Sequence, residues 1–302
     1  MRHKENRSMK KTGFIAIVGR PNVGKSTLLN AILGEKVAIV SNKPQTTRNR
    51  ITGIHTDGDS QFVFLDTPGI HRPKNTLGNY MVRVADDSMR DADAVVLVVD
   101  TGREISEVEE NIIAYIKQSG VGSVLALNKV DLYRREKIAE TIAAYAARHN
   151  FDAVVPISAK RGDNVKILLD ECRKFLTESD WFFPDDILTD QPERQIAAEI
   201  IREKLLRVLD KEVPHGVAVV IEDFRDEENL LSIRSEIFCE KASHKGIIVG
   251  KGGEVLKLVG SRARQDLEKI FGVKVYLNLW VKVKENWRES TAAVSNFGYK
   301  NE

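Results

Sequence analysis

Gly19-Arg20-Pro21-Asn22-Val23-Gly24-Lys25-Ser26 follows directly on the apolar run Phe14-Ile15-Ala16-Ile17-Val18 and precedes the helical spacing Leu28, Leu29, Ile32 and Leu33. The stretch is GxxxxGKS set between a strand and a helix, the context in which this pattern holds phosphate. Its glycines let the backbone wrap so that successive N–H groups face an anion. Lys25 has the reach for β and γ oxygens, and Ser26 offers a hydroxyl to Mg²⁺. A nucleoside triphosphate is therefore the first ligand predicted, with Gly19 through Thr27 around its phosphates.

The base is chosen further along. Asn128-Lys129-Val130-Asp131 follows the buried-strand run Val124-Leu125-Ala126-Leu127. A carboxylate at Asp131 can accept from guanine N1–H and the exocyclic amino group together, whereas adenine would leave that charge unpaired, so guanine is predicted. Lys129 can lay its stem over the base, and Asn128 can tie this loop to the phosphate loop. Ser158-Ala159-Lys160 follows Val154-Val155-Pro156-Ile157, and the Ala159 N–H is expected to donate to guanine O6. Asp66-Thr67-Pro68-Gly69 follows Phe62-Val63-Phe64-Leu65, which places Asp66 where it can hold a water of the Mg²⁺ shell and the Gly69 N–H where it can meet the γ-phosphate.

In this order, with Pro44-Gln45-Thr46-Thr47-Arg48-Asn49-Arg50 between the phosphate loop and DTPG, the chain resembles the translation-factor-like GTPases and, within them, the Era family. The resemblance implies GTP hydrolysis to GDP, slow without help, with Lys25, Thr47, Asp66 and Gly69 acting on the reacting phosphate. It also implies Mg²⁺ held by Ser26, by Thr47 and, through a water, by Asp66; Thr46 stays open as the alternative to Thr47. Residues 40–50 fit a loop ordered by the γ-phosphate and released after hydrolysis. Ile70 stands where Ras-like enzymes carry the glutamine that orients water, so no catalytic base is named. Asn22 resembles the asparagine that binds K⁺ in some related GTPases; a residue capping its own loop is the equal alternative.

Alternating apolar runs and amphipathic segments over residues 13–180 predict an α/β domain of the P-loop NTPase type, a mostly parallel sheet with helices on both faces. Strands are expected near 14–18, 51–56, 61–65, 94–99, 123–127 and 153–157, and helices over 104–118, 132–149 and 164–177. Trp181-Phe182-Phe183-Pro184 breaks the pattern, and residues 181–192 read as a linker.

A second domain is expected over 193–287. It is polarised in charge: residues 185–240 hold seven Lys or Arg and fifteen Asp or Glu (7 − 15 = −8), and residues 241–284 hold ten and three (10 − 3 = +7). Polyanions should dock on the basic half. There, Ile247-Ile248-Val249 leads into Gly250-Lys251-Gly252-Gly253, the GxxG loop of a KH domain, which clamps about four unpaired nucleotides. A helix over 193–209, strands near 217–222 and 230–240, a helix over 253–271 and a strand near 273–283 resemble the bacterial, type II α+β arrangement. Lys257 and Arg264 fall off the apolar face made by Val255, Leu256, Val259, Leu267 and Ile270, and are expected with the loop residues to bind RNA.

The resemblance to the Era family thus covers nearly the whole chain. It implies a GTP-driven switch that grasps unpaired 16S ribosomal RNA near its 3′ end and assists assembly of the small (30S) ribosomal subunit, as a monomer in the cytoplasm. A membrane-associated signalling GTPase and an RNA scaffold with GTP as a structural ligand are the alternatives. The first would use basic residues at the amino terminus, five of them among residues 1–11, and on the basic face of the second domain to touch anionic lipid, and would add a peripheral inner-membrane pool. Residues 1–12 read as a basic tail and 288–302 as a C-terminal tail. Cys172 and Cys239 have no metal or disulfide spacing, which suits reducing cytosol.

Overall fold

The computed structural model describes residues 9–300, which group into two compact units. The first comprises residues up to 38 together with 49–72 and 81–190; the second comprises 39–48, 73–80 and the chain from 191 onward.

The first unit is built from β1 (Lys11–Val18), α1 (Lys25–Leu33), β2 (Ile51–Asp57), β3 (Ser60–Asp66), the greater part of α2 (Thr76–Arg90), β4 (Ala94–Asp100), α3 (Glu107–Ser119), β5 (Gly122–Asn128), α4 (Arg135–Ala146), β6 (Ala153–Pro156), α5 (Val165–Cys172) and the short β7 (Thr177–Glu178). The sheet order is β2-β3-β1-β4-β5-β6, parallel except for β2 against β3 and for β7, which pairs antiparallel with the start of β1. The central strands are apolar on both faces because both are covered. Ile15 and Ile17 of β1 pack with Leu28 and Leu29 of α1 and Leu168 of α5, while Ala16 and Val18 pack with Ile112 and Ile116 of α3 and Tyr145 of α4. Each parallel strand therefore ends at the same edge, where the loops that follow β1, β3, β5 and β6 carry the four nucleotide motifs.

Three features depart from the sequence reading. Helix α2 was not anticipated, although Leu77, Met81, Ala85 and Met89 recur every fourth residue and are buried. Residues 181–190 belong to the first unit: Phe182 stacks on Phe14 at 5.1 Å, the Gln61 side chain donates to Phe183 O at 2.8 Å, and Ile54 N of the outer strand β2 donates to Leu188 O at 2.8 Å. This segment supplies hydrogen-bond partners to an edge strand that would otherwise expose them. In the second unit, residues 288–300 of the expected tail 288–302 are packed, since Val294 and Tyr299 are buried.

The second unit holds α6 (Glu193–Val208), β8 (Ala218–Glu227), β9 (Leu230–Cys239), α7 (Ala242–Val249), α8 (Glu254–Phe271), β10 (Lys274–Val283) and α9 (Thr291–Asn296). Its three-stranded sheet runs β10-β9-β8, with β8 antiparallel and β10 parallel to β9. Odd-numbered residues of β9 and β10, Ile233, Ile237, Val275 and Val281 among them, share one core with Ile200, Ile201 and Leu205 of α6 and Val259 and Leu267 of α8. Segment 39–48 joins this unit because Ile39 enters that core, Glu203 accepts from Val40 N at 3.2 Å and Arg202 donates to the Thr46 carbonyl.

Candidate functional site

The phosphate loop requires glycine at two positions for steric reasons. Gly19 has φ +147°, and a Cβ there would lie 2.3 Å from Val98 O; Gly24 has φ +104°, and its Cβ would lie 2.2 Å from Asn128 Nδ2. Helix α1 then starts at Lys25 with no side-chain cap, so its first N–H groups remain for an anion. The Lys25 ammonium is buried and donates to Gly19 O at 3.1 Å and Arg20 O at 3.0 Å. Arg20 reaches away from the loop to the buried Glu109 at 3.3 Å, which closes the capping box at the start of α3. Thr67 is fixed by its hydroxyl to Ile17 O at 2.9 Å. Gly69 comes so close to the phosphate loop that a Cβ would lie 2.7 Å from Pro21 Cα, and Ile70 N donates to Gly19 O at 3.1 Å. The Ile70 side chain packs on the apolar cluster of β1, β4 and α3, while the His71 ring nitrogen Nδ1 sits 3.0 Å from Gly69 O.

Ser26 Oγ donates to Asp66 Oδ2 at 2.6 Å, and Asp66 is fully buried with its other oxygen, Oδ1, unpartnered. Burial pushes the Asp66 carboxyl up to about 6, against the pull of Lys25 and Ser26, and burial lowers the Lys25 ammonium to about 8, against the pull of Asp66. A half-buried hydroxyl and an orphaned carboxylate oxygen beside a lysine form a hard-oxygen donor set, which fits Mg²⁺ held partly through water. Thr47 lies in the segment that groups with the second unit, buried next to Arg48.

These two shifted groups carry a pH prediction. Below about 6 the protonated Asp66 no longer attracts a cation, and above about 8 a neutral Lys25 no longer attracts phosphate. Mg²⁺–nucleotide affinity measured from pH 5 to 9 should peak between these limits, and Asp66→Asn should remove the acid limb; a limb that persists in that variant means the nucleotide's own titration sets it. Because Asp66 is more basic folded than unfolded, the folded protein binds more protons between the two values, so this group makes the ligand-free fold less stable as pH rises through that window.

The base-reading loops are tied to the phosphate loop by Asn128. Its Nδ2 donates to Val23 O at 2.7 Å, and its Oδ1 accepts from Lys129 N at 2.8 Å and from Ala159 N at 2.9 Å. The Ala159 N–H, assigned from sequence to guanine O6, thus has Asn128 as its partner here. Ser158 holds its own loop in a bridge to Asp163, and the Lys160 side chain is exposed. Lys129 has φ +66° and donates to Asn22 O and Asp100 Oδ2, both at 2.8 Å. Burial works to raise the Asp100 carboxyl, but bonds from Lys129 and the Gly102 N–H outweigh it and hold the group below its usual range. Asp131 sits in a single 3₁₀ turn, residues 130–132, anchored by Val130 N to Ile157 O at 3.2 Å. Asn22 takes a left-handed conformation at φ +64°, with its carbonyl committed to Lys129.

In the second unit the GxxG turn joins α7 to α8. Gly250, Gly252 and Gly253 have φ of +75°, +61° and +83°; a Cβ on Gly250 would lie 2.5 Å from Val255 Cγ2, while those on Gly252 and Gly253 would meet nothing within 4 Å. Lys251, Lys257 and Arg264 are exposed. Ile270 is not in the core as its spacing suggested, being 38% exposed, and Ile247, from the apolar run before the turn, and Leu258 present apolar surface on the two helices flanking the turn.

The family described as 50S ribosome-binding GTPase matches residues 14–129, and the KH domain family matches residues 212–288. The chain is 48% identical over 291 residues to the GTPase Era of Ruminiclostridium cellulolyticum, covering 96% of this chain and 98% of that one, and 49% identical over 293 residues to that of Syntrophus aciditrophicus, covering 96% of each. It is similar, at 41% identity and a TM-score of 0.94, to a crystal structure of Era in complex with MgGDPNP and nucleotides 1506–1542 of 16S ribosomal RNA, over 97% of this chain and all of that one. A similar agreement, TM-score 0.93 at 41% identity over 96% of this chain and all of that one, is found with an Aquifex aeolicus Era variant bound to GDP·AlF4⁻.

Proposed function

The chain belongs to the Era family of GTPases, and from that premise we propose that it hydrolyses GTP with Mg²⁺ and uses the nucleotide to time its hold on the 3′ end of 16S ribosomal RNA during small-subunit assembly. The observation that carries the chemistry is the cluster of the buried Lys25 and Asp66 with the half-buried Ser26 at the phosphate loop. Ser26 and Asp66, with Thr47 as the further ligand, would hold the ion, which supplies positive charge to the phosphates. Lys25 exchanges its two carbonyl partners for phosphate oxygens and stabilises the charge that builds on the leaving diphosphate. Water attacks the γ phosphorus as the bond to the bridging oxygen breaks. Ile70 cannot steer that water, which supports slow unaided turnover.

The coupling to RNA is supported by chain continuity. Thr47, the residue assigned to the GTP state, is followed at once by Arg48, whose buried guanidinium donates to Val217 O at 2.7 Å, His215 O at 2.9 Å and Tyr299 Oη at 3.1 Å and lies 5.7 Å from the Trp287 and Tyr299 ring centres. Whatever reorders Thr47 acts on a residue that five bonds and ring contacts fix into the RNA-binding unit. RNA affinity is expected to be about tenfold or more higher with a nonhydrolysable GTP analogue than with GDP, a typical coupling free energy. Equal affinities would leave GTP as a structural ligand and favour the scaffold.

A cytoplasmic location and a monomeric state remain proposals of this reading. Among the described residues no helix is long and apolar enough to cross a membrane. Of the five amino-terminal basic residues on which lipid contact would partly rest, Arg2, Lys4 and Arg7 lie outside the described residues.

A further inference from the structure

Strand β10 reads Lys274-Val-Tyr276-Leu-Asn278-Leu-Trp280-Val-Lys282-Val, and its odd positions from Val275 to Val281 go into the core. The even positions form a stripe of lysine, tyrosine, asparagine, tryptophan and lysine on the opposite face of the sheet from the helices α6 and α8. Tyr276 is 57% exposed and Trp280 60% exposed. Two aromatic rings held in water on one strand are unusual for packing residues. Nothing in the strand's geometry requires them, since any polar residue suits the outer face of a half-buried sheet.

The same face is covered at its other end. Phe238 of β9, opposite Lys282, stacks on Phe297 at 4.4 Å, and Phe297 packs edge-on against the buried Trp287 at 5.2 Å. Phe297 therefore closes the Phe238 end, and Tyr276 and Trp280 stay exposed beside it. The charge beside the open rings favours a polyanion: β10 has no acidic residue, Lys274 and Arg234, the latter opposite Asn278, are exposed, and Lys282 forms an ion pair with Glu236, opposite Trp280, that cancels both charges. The strand is also the edge of the sheet and packs against α7, the helix that leads into the GxxG turn. Nucleic acid leaving that turn can pass over this edge without crossing another element.

We propose that the open face of β10 is a second seat for unpaired RNA, in which Tyr276 and Trp280 stack bases of nucleotides beyond those clamped at the GxxG turn. The two rings are four residues apart, about 13 Å along the strand, so they take bases that are not adjacent. Stacking on aromatic rings is tolerant of sequence, so this seat adds length and affinity to binding, and the GxxG cleft selects the bases.

The proposal rests on the RNA-binding reading, and two oligonucleotides separate the two. One is an unpaired 16S 3′-end fragment of about five nucleotides, enough for the GxxG cleft, and the other extends it to about twelve. Tyr276→Ala/Trp280→Ala should weaken the longer fragment by about 30-fold or more and leave the shorter one unchanged, while Trp280→Phe should restore most of its half of the loss. The longer fragment should quench tryptophan fluorescence in the wild-type protein, and Trp280→Phe should abolish that quenching. If the double variant binds both fragments as the wild type does and no quenching is seen, the seat does not exist and the exposed rings belong to a protein contact. If the wild type binds neither fragment, the RNA reading itself has failed.

Discussion

Asp131→Asn is expected to make the nucleotide site reject the base it is built for, lowering GTP affinity by about two to four orders of magnitude while raising affinity for xanthosine triphosphate. The argument rests on donors and acceptors. A carboxylate presents acceptors only and can take both N–H groups on the Watson–Crick edge of guanine. A carboxamide presents one acceptor and one donor pair, so one guanine N–H faces another N–H in a site with little water. Xanthine has a carbonyl where guanine has its amino group, and the carboxamide can pair both positions. The surrounding scaffold should survive, because the 3₁₀ turn that holds residue 131 is fixed by backbone bonds, Val130 N to Ile157 O at 3.2 Å and Leu132 N to Lys129 O at 3.0 Å. Competition of GTP and xanthosine triphosphate against a fluorescent analogue measures the swap. GTP affinity within threefold of wild type would mean that Asp131 is an ordinary turn residue and that base choice lies elsewhere.

That prediction was open from the sequence because the chemistry of nucleotide recognition is local. GxxxxGKS, DTPG, NKVD and SAK each place their functional atoms within a few residues of a strand end, and a parallel sheet gathers strand ends at one edge, so spacing alone brings the motifs together. What the sequence could not display was partnership over distance. Arg48 stands in a tract read as a mobile loop, yet its bonds go to residues 215, 217 and 299, more than 160 positions away. Trp287 closes the expected second domain and Tyr299 sits in the expected C-terminal tail, and nothing in the sequence shows that both meet that guanidinium. The Ala159 N–H shows the same limit at short range, because its partner depends on the rotamer of Asn128, which no pattern encodes. Helix α2 is a different case, since the fourth-residue spacing of Leu77, Met81, Ala85 and Met89 is plain in the sequence. In β10 the alternation of the core positions was legible, and its consequence, two rings facing water, needed burial to be seen.

Gly253→Asp is expected to lower RNA affinity by at least about 100-fold and to leave GTP binding within about twofold, because a carboxylate set among backbone donors that face phosphate adds a like-charge contact of several kcal/mol. The choice of glycine decides whether the test can be read. A Cβ on Gly250 would lie 2.5 Å from Val255 Cγ2 and 2.9 Å from Val255 N, so a substitution there distorts the start of α8, and lost binding would report misfolding. A Cβ on Gly253 meets nothing within 4 Å. Its cost is confined to holding a side chain at φ +83°, about 1–2 kcal/mol, which lowers the melting temperature without removing the fold. Gly253→Ala carries that backbone cost without the charge and should lose only a minor part of the affinity. Should Gly253→Asp and Gly253→Ala weaken RNA equally, the turn matters for its shape and phosphate does not approach it. Should neither weaken it, RNA binds elsewhere on the basic half, and the resemblance to a KH loop is one of backbone conformation alone.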